Sequence, residues 1–237
     1  MNNRFYKNIM IKNKKAIILV SGGMDSLLTL AMAIKQGIEP YTLHINYGQN
    51  TQQKELKAYK SINSYYNISE EQTLIVDIDY LKKIGGSVLL EARFDIKKND
   101  NIPNTYVPFR NANILAIATC WAEVIGAEYI FIGASEVDFS GYPDCRREFF
   151  DTFEKTIELG TRPDTKIKIL TPLISMTKED IVRKGVELAI PFELSWSCYY
   201  NEEAACGECP SCKLRINGFK KAKINDPIPH LFQHSHA

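Results

Sequence analysis

The 237-residue chain contains no apolar run approaching the roughly 20 residues that span a bilayer, which argues against a membrane-spanning helix. Its basic start, Met1 to Lys15, is followed by only five strongly apolar residues before a polar Ser-Gly-Gly turn. That is too short for the apolar region of a secretion signal, so a cytoplasmic protein with a short N-terminal extension (1–14) is expected. Charge of one sign is also missing: 29 Lys and Arg stand against 28 Asp and Glu, a net charge of +1. No bulk electrostatic footprint for nucleic acid follows from that balance. There is no Walker A lysine, no G-x-G-x-x-G, no internal repeat and no low-complexity segment, so neither P-loop nor dinucleotide-type binding is read here.

What is present starts with Ala16-Ile17-Ile18-Leu19-Val20, a short β-favouring run. The turn Ser21-Gly22-Gly23-Met24-Asp25-Ser26 follows, and then a helix-like segment from Leu27 to Gln36 that ends at Gly37. Strand, glycine turn and helix start together form a phosphate cradle, because the helix N-terminus offers N–H groups and a positive dipole end to an anion. The hydroxyls of Ser21 and Ser26 bracket the glycines. A carboxylate beside a phosphate is repulsive unless a cation bridges them, so Asp25 implies Mg²⁺.

Strand and helix patterns alternate along the rest of the chain. Strands are expected at Glu39 to Asn46, Leu74 to Val76 (buried), Tyr129 to Ile132 and Ile167 to Leu170. Helices are expected at Gln49 to Tyr66, Arg110 to Ile125, Arg146 to Leu159, and after Thr177, which with Asp180 makes a capping-box-like start. Asp79 to Phe109 reads as a long irregular loop of the kind that is usually functional or disordered. The fold class is α/β: a parallel twisted sheet with helices on both faces, Rossmann-like. Ligands of such sheets bind at the carboxyl ends of the strands. Ser21 to Ser26, Asn46 to Gln49 and Gly133 to Asp144 would all lie there. His44 is read as a structural histidine on the strand face opposite Leu43 and Ile45.

Four of the six cysteines, Cys198, Cys206, Cys209 and Cys212, have the spacing C-x7-C-x2-C-x2-C. Four thiolates close a tetrahedral site, so one structural Zn²⁺ per chain is expected, pinning residues 191–229 onto the domain formed by 15–190. An iron–sulfur cluster is the rival, but the ferredoxin run needs a fourth Cys followed by Pro, and Lys213-Leu214-Arg215-Ile216 follows Cys212 instead. Cys120 is expected in the core of its helix. Cys145 either lines a pocket or packs as a neutral thiol. The tail 230–237, with His230, His234 and His236, is expected to be disordered.

The turn Ser21 to Ser26 resembles the S-G-G-x-D-S signature of the N-type ATP pyrophosphatases. Three more stretches narrow the resemblance: Asn104 to Asn111, Ser140 to Arg146, and Trp196 to Tyr199 leading into Cys206 to Cys212. With Asn46 to Gln49 they resemble the 7-cyano-7-deazaguanine synthase (preQ0 synthase) family of queuosine biosynthesis, from about Lys15 to Pro229. The resemblance implies an adenine nucleotide alpha hydrolase-like fold. It also implies an ATP-dependent carbon–nitrogen ligase that turns 7-carboxy-7-deazaguanine and ammonia into the nitrile through adenylated acid and amide intermediates.

By motif, Ser21, Gly22, Gly23, Asp25 and Ser26 would hold pyrophosphate and Mg²⁺. Val20, Met24, Leu27, Leu28, Thr29 and Leu30 would complete the nucleotide loop and its helix. Arg110 would pair with a phosphate or the substrate carboxylate, or is a helix-start arginine working against the dipole. Asp144 would accept the purine-like edge or bind metal, or is a turn residue. Arg146 is similar. Asp25, Ser26, Arg110 and Asp144 form the expected catalytic set. Tyr47, Gln49, Asn111 and Tyr142 complete the expected substrate wall, where the tyrosines stack on the base or are ordinary half-buried side chains. Phe109 stands where a small residue is expected, and would narrow the pocket or stack on substrate. On this reading Asp25→Ala removes activity and spares the fold.

No glutaminase segment is seen, so ammonia is taken free or from a partner. No nucleic acid and no membrane partner are expected, and a homodimer is expected by base rate. The alternatives are another N-type pyrophosphatase, such as a tRNA-thiolating enzyme or a deazaguanine-transferring ligase. A zinc-ribbon nucleic-acid module is a further one. Glu202, Glu203 and Glu208, interleaved with the cysteines, would repel its phosphates.

Overall fold

The computed structural model describes residues 13–91, 102–137 and 141–231. In chain order the elements are β1 (Lys15–Leu19), α1 (Met24–Lys35), β2 (Glu39–Asn46), α2 (Gln52–Tyr65), β3 (Thr73–Asp77) and α3 (Tyr80–Ile84). These are followed by α4 (Arg110–Ile125), β4 (Tyr129–Phe131), α5 (Arg147–Gly160), β5 (Lys168–Leu170), α6 (Lys178–Glu187) and α7 (Pro210–Ala222). All strand pairs are parallel, in the order β3-β2-β1-β4-β5. The strand order reverses between β1 and β4, and a crevice opens at that switch point beyond the carboxyl ends of the strands.

The period-2 alternation of the strands sorts their side chains between two cores. Ala16, Ile18 and Val20 pack with α1, α2, α6 and α7 on one face. Ile17 and Leu19, with Leu43, Ile45 and Ile130, pack with α4 and α5 on the other. The expected α/β sheet with helices on both faces is therefore observed. His44 points to the first face, stacked on Tyr59 with ring centroids 4.9 Å apart. Its Nδ1 is 2.9 Å from the Val20 carbonyl, but its Nε2 has no hydrogen-bond partner among the described residues.

Several expectations are corrected. β3 is the sheet's edge and its residues are half-buried or exposed, since only one neighbour and one layer cover it. The segment 79–109 contains α3 and a 3₁₀ turn at Val88–Leu90, with 92–101 outside the described residues. Cys120 is exposed: α4 buries Leu115, Ala118 and Ala122, and position 120 falls on the opposite side of that helix. His230 is not loose, because its Nε2 lies 3.1 Å from Asp226 Oδ2 and its backbone bridges Ala205. His234, His236, Ser140 and residues 1–12 lie outside the described residues. No helix among the described residues is long and apolar enough to cross a membrane.

Candidate active site

The turn after β1 is fitted into place by a missing side chain. Gly22 has φ +92°, and a Cβ there would lie 2.6 Å from the Glu55 carbonyl oxygen of α2. Glycine alone allows both the backbone angle and the approach. Gly23 caps α1 in an extended conformation, with no side chain closing the helix end. Ser26 Oγ donates to the Gly23 carbonyl at 2.9 Å and lies 3.2 Å from Ser21 Oγ. Asp25 Oδ2 accepts from Lys178 Nζ at 2.7 Å, while Oδ1 is buried with no partner among the described residues.

This turn forms one end of a cavity of about 270 Å³. Val20, Ser21, Gly23, Met24, Asp25 and Ser26 line it. Gly22 lies beneath, against α2. Leu27, Leu28, Thr29 and Leu30, expected in the nucleotide site, are fully buried in the core and do not line the cavity. They start α1's inward face and hold the loop from behind.

The other wall comes from the ends of β2 and β4 and the start of α4. It comprises Tyr47, Arg110, Asn111, Tyr142 and Cys145, together with Gly133 and Ser135. Arg110 Nη1 donates to Tyr47 Oη at 3.1 Å, and the guanidinium lies 5.2 Å from that ring's centroid. Burial disfavours the Arg110 charge, but Tyr47, Cys145 and Asp144 more than offset it, and the pKa is raised. Burial pushes the Tyr47 hydroxyl up to about 12 and the Cys145 thiol up to about 11, so both are protonated at neutral pH. The Tyr142 and Tyr199 hydroxyls are also raised by burial.

The remaining sequence candidates stand behind this wall or away from it. Asp144 Oδ2 accepts from the Asn111 backbone N–H at 2.9 Å, and Asn111 Nδ2 donates to the Asp144 carbonyl at 2.8 Å. Asp144 thus caps α4 from another segment, a task its own N-cap, Phe109, does not perform. Phe109 sits at φ +57°, the left-handed conformation that explains why a small residue was expected there. Its ring is 60% exposed, packs edge-on against Phe149 at 6.3 Å, and does not line the cavity. Gln49 is buried and braces the loop after β2, donating to Glu55 Oε2 at 3.0 Å and accepting from Tyr47 N. Arg146 is exposed and donates to the Pro143 carbonyl.

Residues that sequence reasoning missed complete the site. Lys178 is the first residue of α6 and is 7% exposed. A cation placed against the positive end of a helix was the available signal, the same one read for Arg110. Glu55 lines the cavity between the loop and Tyr47, accepting from Gln49 and from Thr51 Oγ1 at 2.9 Å. Burial raises its pKa, opposed by those hydrogen bonds and by Arg110. Trp196 and Ser197 close the loop end, the Trp196 backbone N–H donating to the Gly22 carbonyl at 2.9 Å.

The four cysteines converge next to this wall. Their Sγ atoms all lie within 4.8 Å of one another, with Cys206 and Cys212 3.9 Å apart. Sulfurs at about 2.3 Å from a tetrahedral Zn²⁺ would be about 3.8 Å apart, so the donor set and its size fit a metal. Cys198 Sγ accepts three backbone N–H groups, from Tyr200, Asn201 and Cys206. Such donors favour thiolates. The cluster is the centre of a small core with Trp196, Ala205 and Ile228.

The family model of queuosine biosynthesis protein QueC matches residues 15–223. A relative from Chlorobium phaeobacteroides, a 7-cyano-7-deazaguanine synthase, is 55% identical over 220 residues, covering 91% of this chain and 96% of that protein. A 7-cyano-7-deazaguanine synthase of Chlorobium chlorochromatii is 53% identical with the same coverage. Among solved structures, the U34-tRNA thiolase NcsA of Methanococcus maripaludis, with its 4Fe–4S cluster, matches with a TM-score of 0.51 at 16% identity. That match covers 91% of this chain and 70% of that one, and shows a shared fold. With a family match that spans all five strands and both halves of the cavity wall, the chain belongs to the QueC family of queuosine biosynthesis proteins.

Proposed function

We propose that the cavity binds ATP at the Ser21–Ser26 end and 7-carboxy-7-deazaguanine at the Arg110 end, and makes 7-cyano-7-deazaguanine with ammonia as the nitrogen source. The observation that carries this is one cavity joining the glycine turn at the start of α1 to a cationic, aromatic wall. An ATP-dependent carbon–nitrogen ligase of queuosine biosynthesis is the activity of the relatives, and the thiolation and transfer alternatives are not favoured. The chain is read as cytoplasmic and homodimeric, the latter by base rate.

A carboxylate is a poor electrophile, because its leaving group would be oxide. Arg110 fixes it in bidentate fashion while one oxygen attacks the α-phosphorus. Ser21, Ser26 and the loop amides hold the departing pyrophosphate, and Lys178 supplies positive charge beside it. Asp25 Oδ1, buried and unpartnered, fits a cation ligand; bound Mg²⁺ would neutralise charge between that carboxylate and the phosphates. Tyr47 and Tyr142 flank the flat ring. Ammonia displaces AMP to give the amide, whose oxygen is activated in a second round and expelled. Zn²⁺ on Cys198, Cys206, Cys209 and Cys212 would have no open position and a structural task only.

Mass spectrometry of a reaction with the acid, ammonia and ATP should show the nitrile, with AMP and pyrophosphate formed in step. Absence of nitrile under conditions that consume ATP rejects the reading.

A further inference from the structure

Making a nitrile from ammonia removes every proton from the nitrogen. When ammonia adds to the adenylated acid, the N–C bond forms, the C–O bond to AMP breaks and one N–H proton leaves. When the activated amide collapses, the second C–O bond breaks, the C≡N triple bond forms and the remaining two N–H protons leave. Some group beside the reacting carbon has to take them.

The cavity wall leaves few choices among the described residues. Arg110, Arg215 and Lys178 arrive as cations. The hydroxyls of Tyr47, Tyr142 and Tyr199 and the thiol of Cys145 hold their protons at neutral pH. Two carboxylates remain, Asp25 and Glu55. Asp25 is ion-paired with Lys178 at the phosphate end. Glu55 makes no ion pair among the described residues.

The position of Glu55 is equally specific. Its backbone touches Gly22 of the phosphate turn, and Gln49, which bonds one of its oxygens, also holds the Tyr47 backbone. It therefore stands at the junction of the two ends, where the carboxyl carbon of the substrate must meet the α-phosphate. Its two hydrogen bonds, from Gln49 and Thr51, use one lone pair on each oxygen and leave another on each. The charged groups near it are Arg110 of α4 and Glu202 of the loop before Cys206.

We propose that Glu55 is the catalytic base of the amination and dehydration steps, accepting the nitrogen's protons one at a time and releasing each to solvent before the next. The proposal rests on the synthase reading above. It leaves the adenylation chemistry to the Ser21–Ser26 loop, Lys178 and Arg110.

The test separates the half-reactions in Glu55→Gln. ATP–pyrophosphate exchange with the acid, measured without ammonia, should persist, which also shows that the variant is folded. Nitrile formation from acid and ammonia should fall by about 10²–10⁴-fold, the usual worth of a general base. Supplied with the amide and ATP, a step that needs no ammonia, the variant should be equally impaired. Glu55→Asp, which keeps a carboxylate, should recover part of the rate. Normal nitrile formation, loss of exchange as well, normal conversion of the amide with only its formation lost, or an Asp variant as slow as the Gln variant would each overturn the assignment. Failure of the synthase reading would appear in the unaltered enzyme, as absence of nitrile from either starting material.

Discussion

Asp25 illustrates how one side chain carries two duties. One oxygen accepts from Lys178, and the other is buried with no hydrogen-bond partner among the described residues. Asp25→Ala is therefore expected to keep the fold but at reduced stability. Removing it takes one charged hydrogen-bond partner from the buried Lys178 ammonium, and losing a hydrogen bond to a charged group costs about 1.5–3 kcal/mol. Thermal unfolding should show a clear drop for Asp25→Ala and a smaller one for Asp25→Asn, with nitrile formation lost in both. Equal melting temperatures would contradict the pairing. His44 sets a pH response. Burial pulls its pKa below the usual 6.5, so protons bind the unfolded chain better than the folded one. Its contribution to stability is intact above 6.5 and is lost as pH falls through that value toward the folded pKa. The melting temperature of the native chain should thus fall more steeply than that of His44→Gln on acidification to about pH 5. Parallel curves would show that the ring titrates alike in both states.

The helices and strands with strong local patterns were legible from residues alone. Glu39–Asn46 and Arg110–Ile125 occur with the expected bounds, and the Thr177–Asp180 capping box forms as read. What stayed hidden is set by distant partners. Leu74-Ile75-Val76 looks like an inner strand because its apolar residues carry no sign of which neighbour is missing. The pairing of Lys178 with Asp25 spans 153 positions and leaves no periodic trace. The same holds for the crossing of α6 and α7. A Cβ on Gly218 would lie 2.7 Å from Lys178 Cβ and 3.0 Å from that residue's backbone. Neither atom is a flexible tip that can move aside. Gly218→Ala should therefore cost about 1–3 kcal/mol of stability. It should also lower kcat/KM for ATP, by shifting the Lys178 ammonium away from Asp25. A full-speed enzyme of reduced stability would show that the helix can move without carrying the lysine.

For the whole molecule, the site is assembled from both ends of the described chain. The loop after β1 accepts a backbone hydrogen bond from Trp196, the segment of Trp196 continues into the cysteine cluster, and Arg215 of α7 binds Asp226 at 2.8 and 2.9 Å while donating to Ser195. The cluster and the glycine-turn end of the cavity are therefore linked through the segment that the expected metal would pin onto the domain. Chelation should lower the melting temperature and raise KM for ATP, read by calorimetry and steady-state rates after metal removal and restored by adding Zn²⁺. An unchanged KM would uncouple the two. Trp196 has a further consequence. The chain has two tryptophans, and this one stands in the cavity wall with the Lys54 ammonium 4.3 Å above its ring and its Nε1 donating to the Asn201 carbonyl. The indole thus borders both the cavity proposed for nucleotide and the core of the cysteine cluster. If the cavity takes ATP as proposed, the protein carries its own fluorophore in the wall of the site, and its emission should shift on adding ATP.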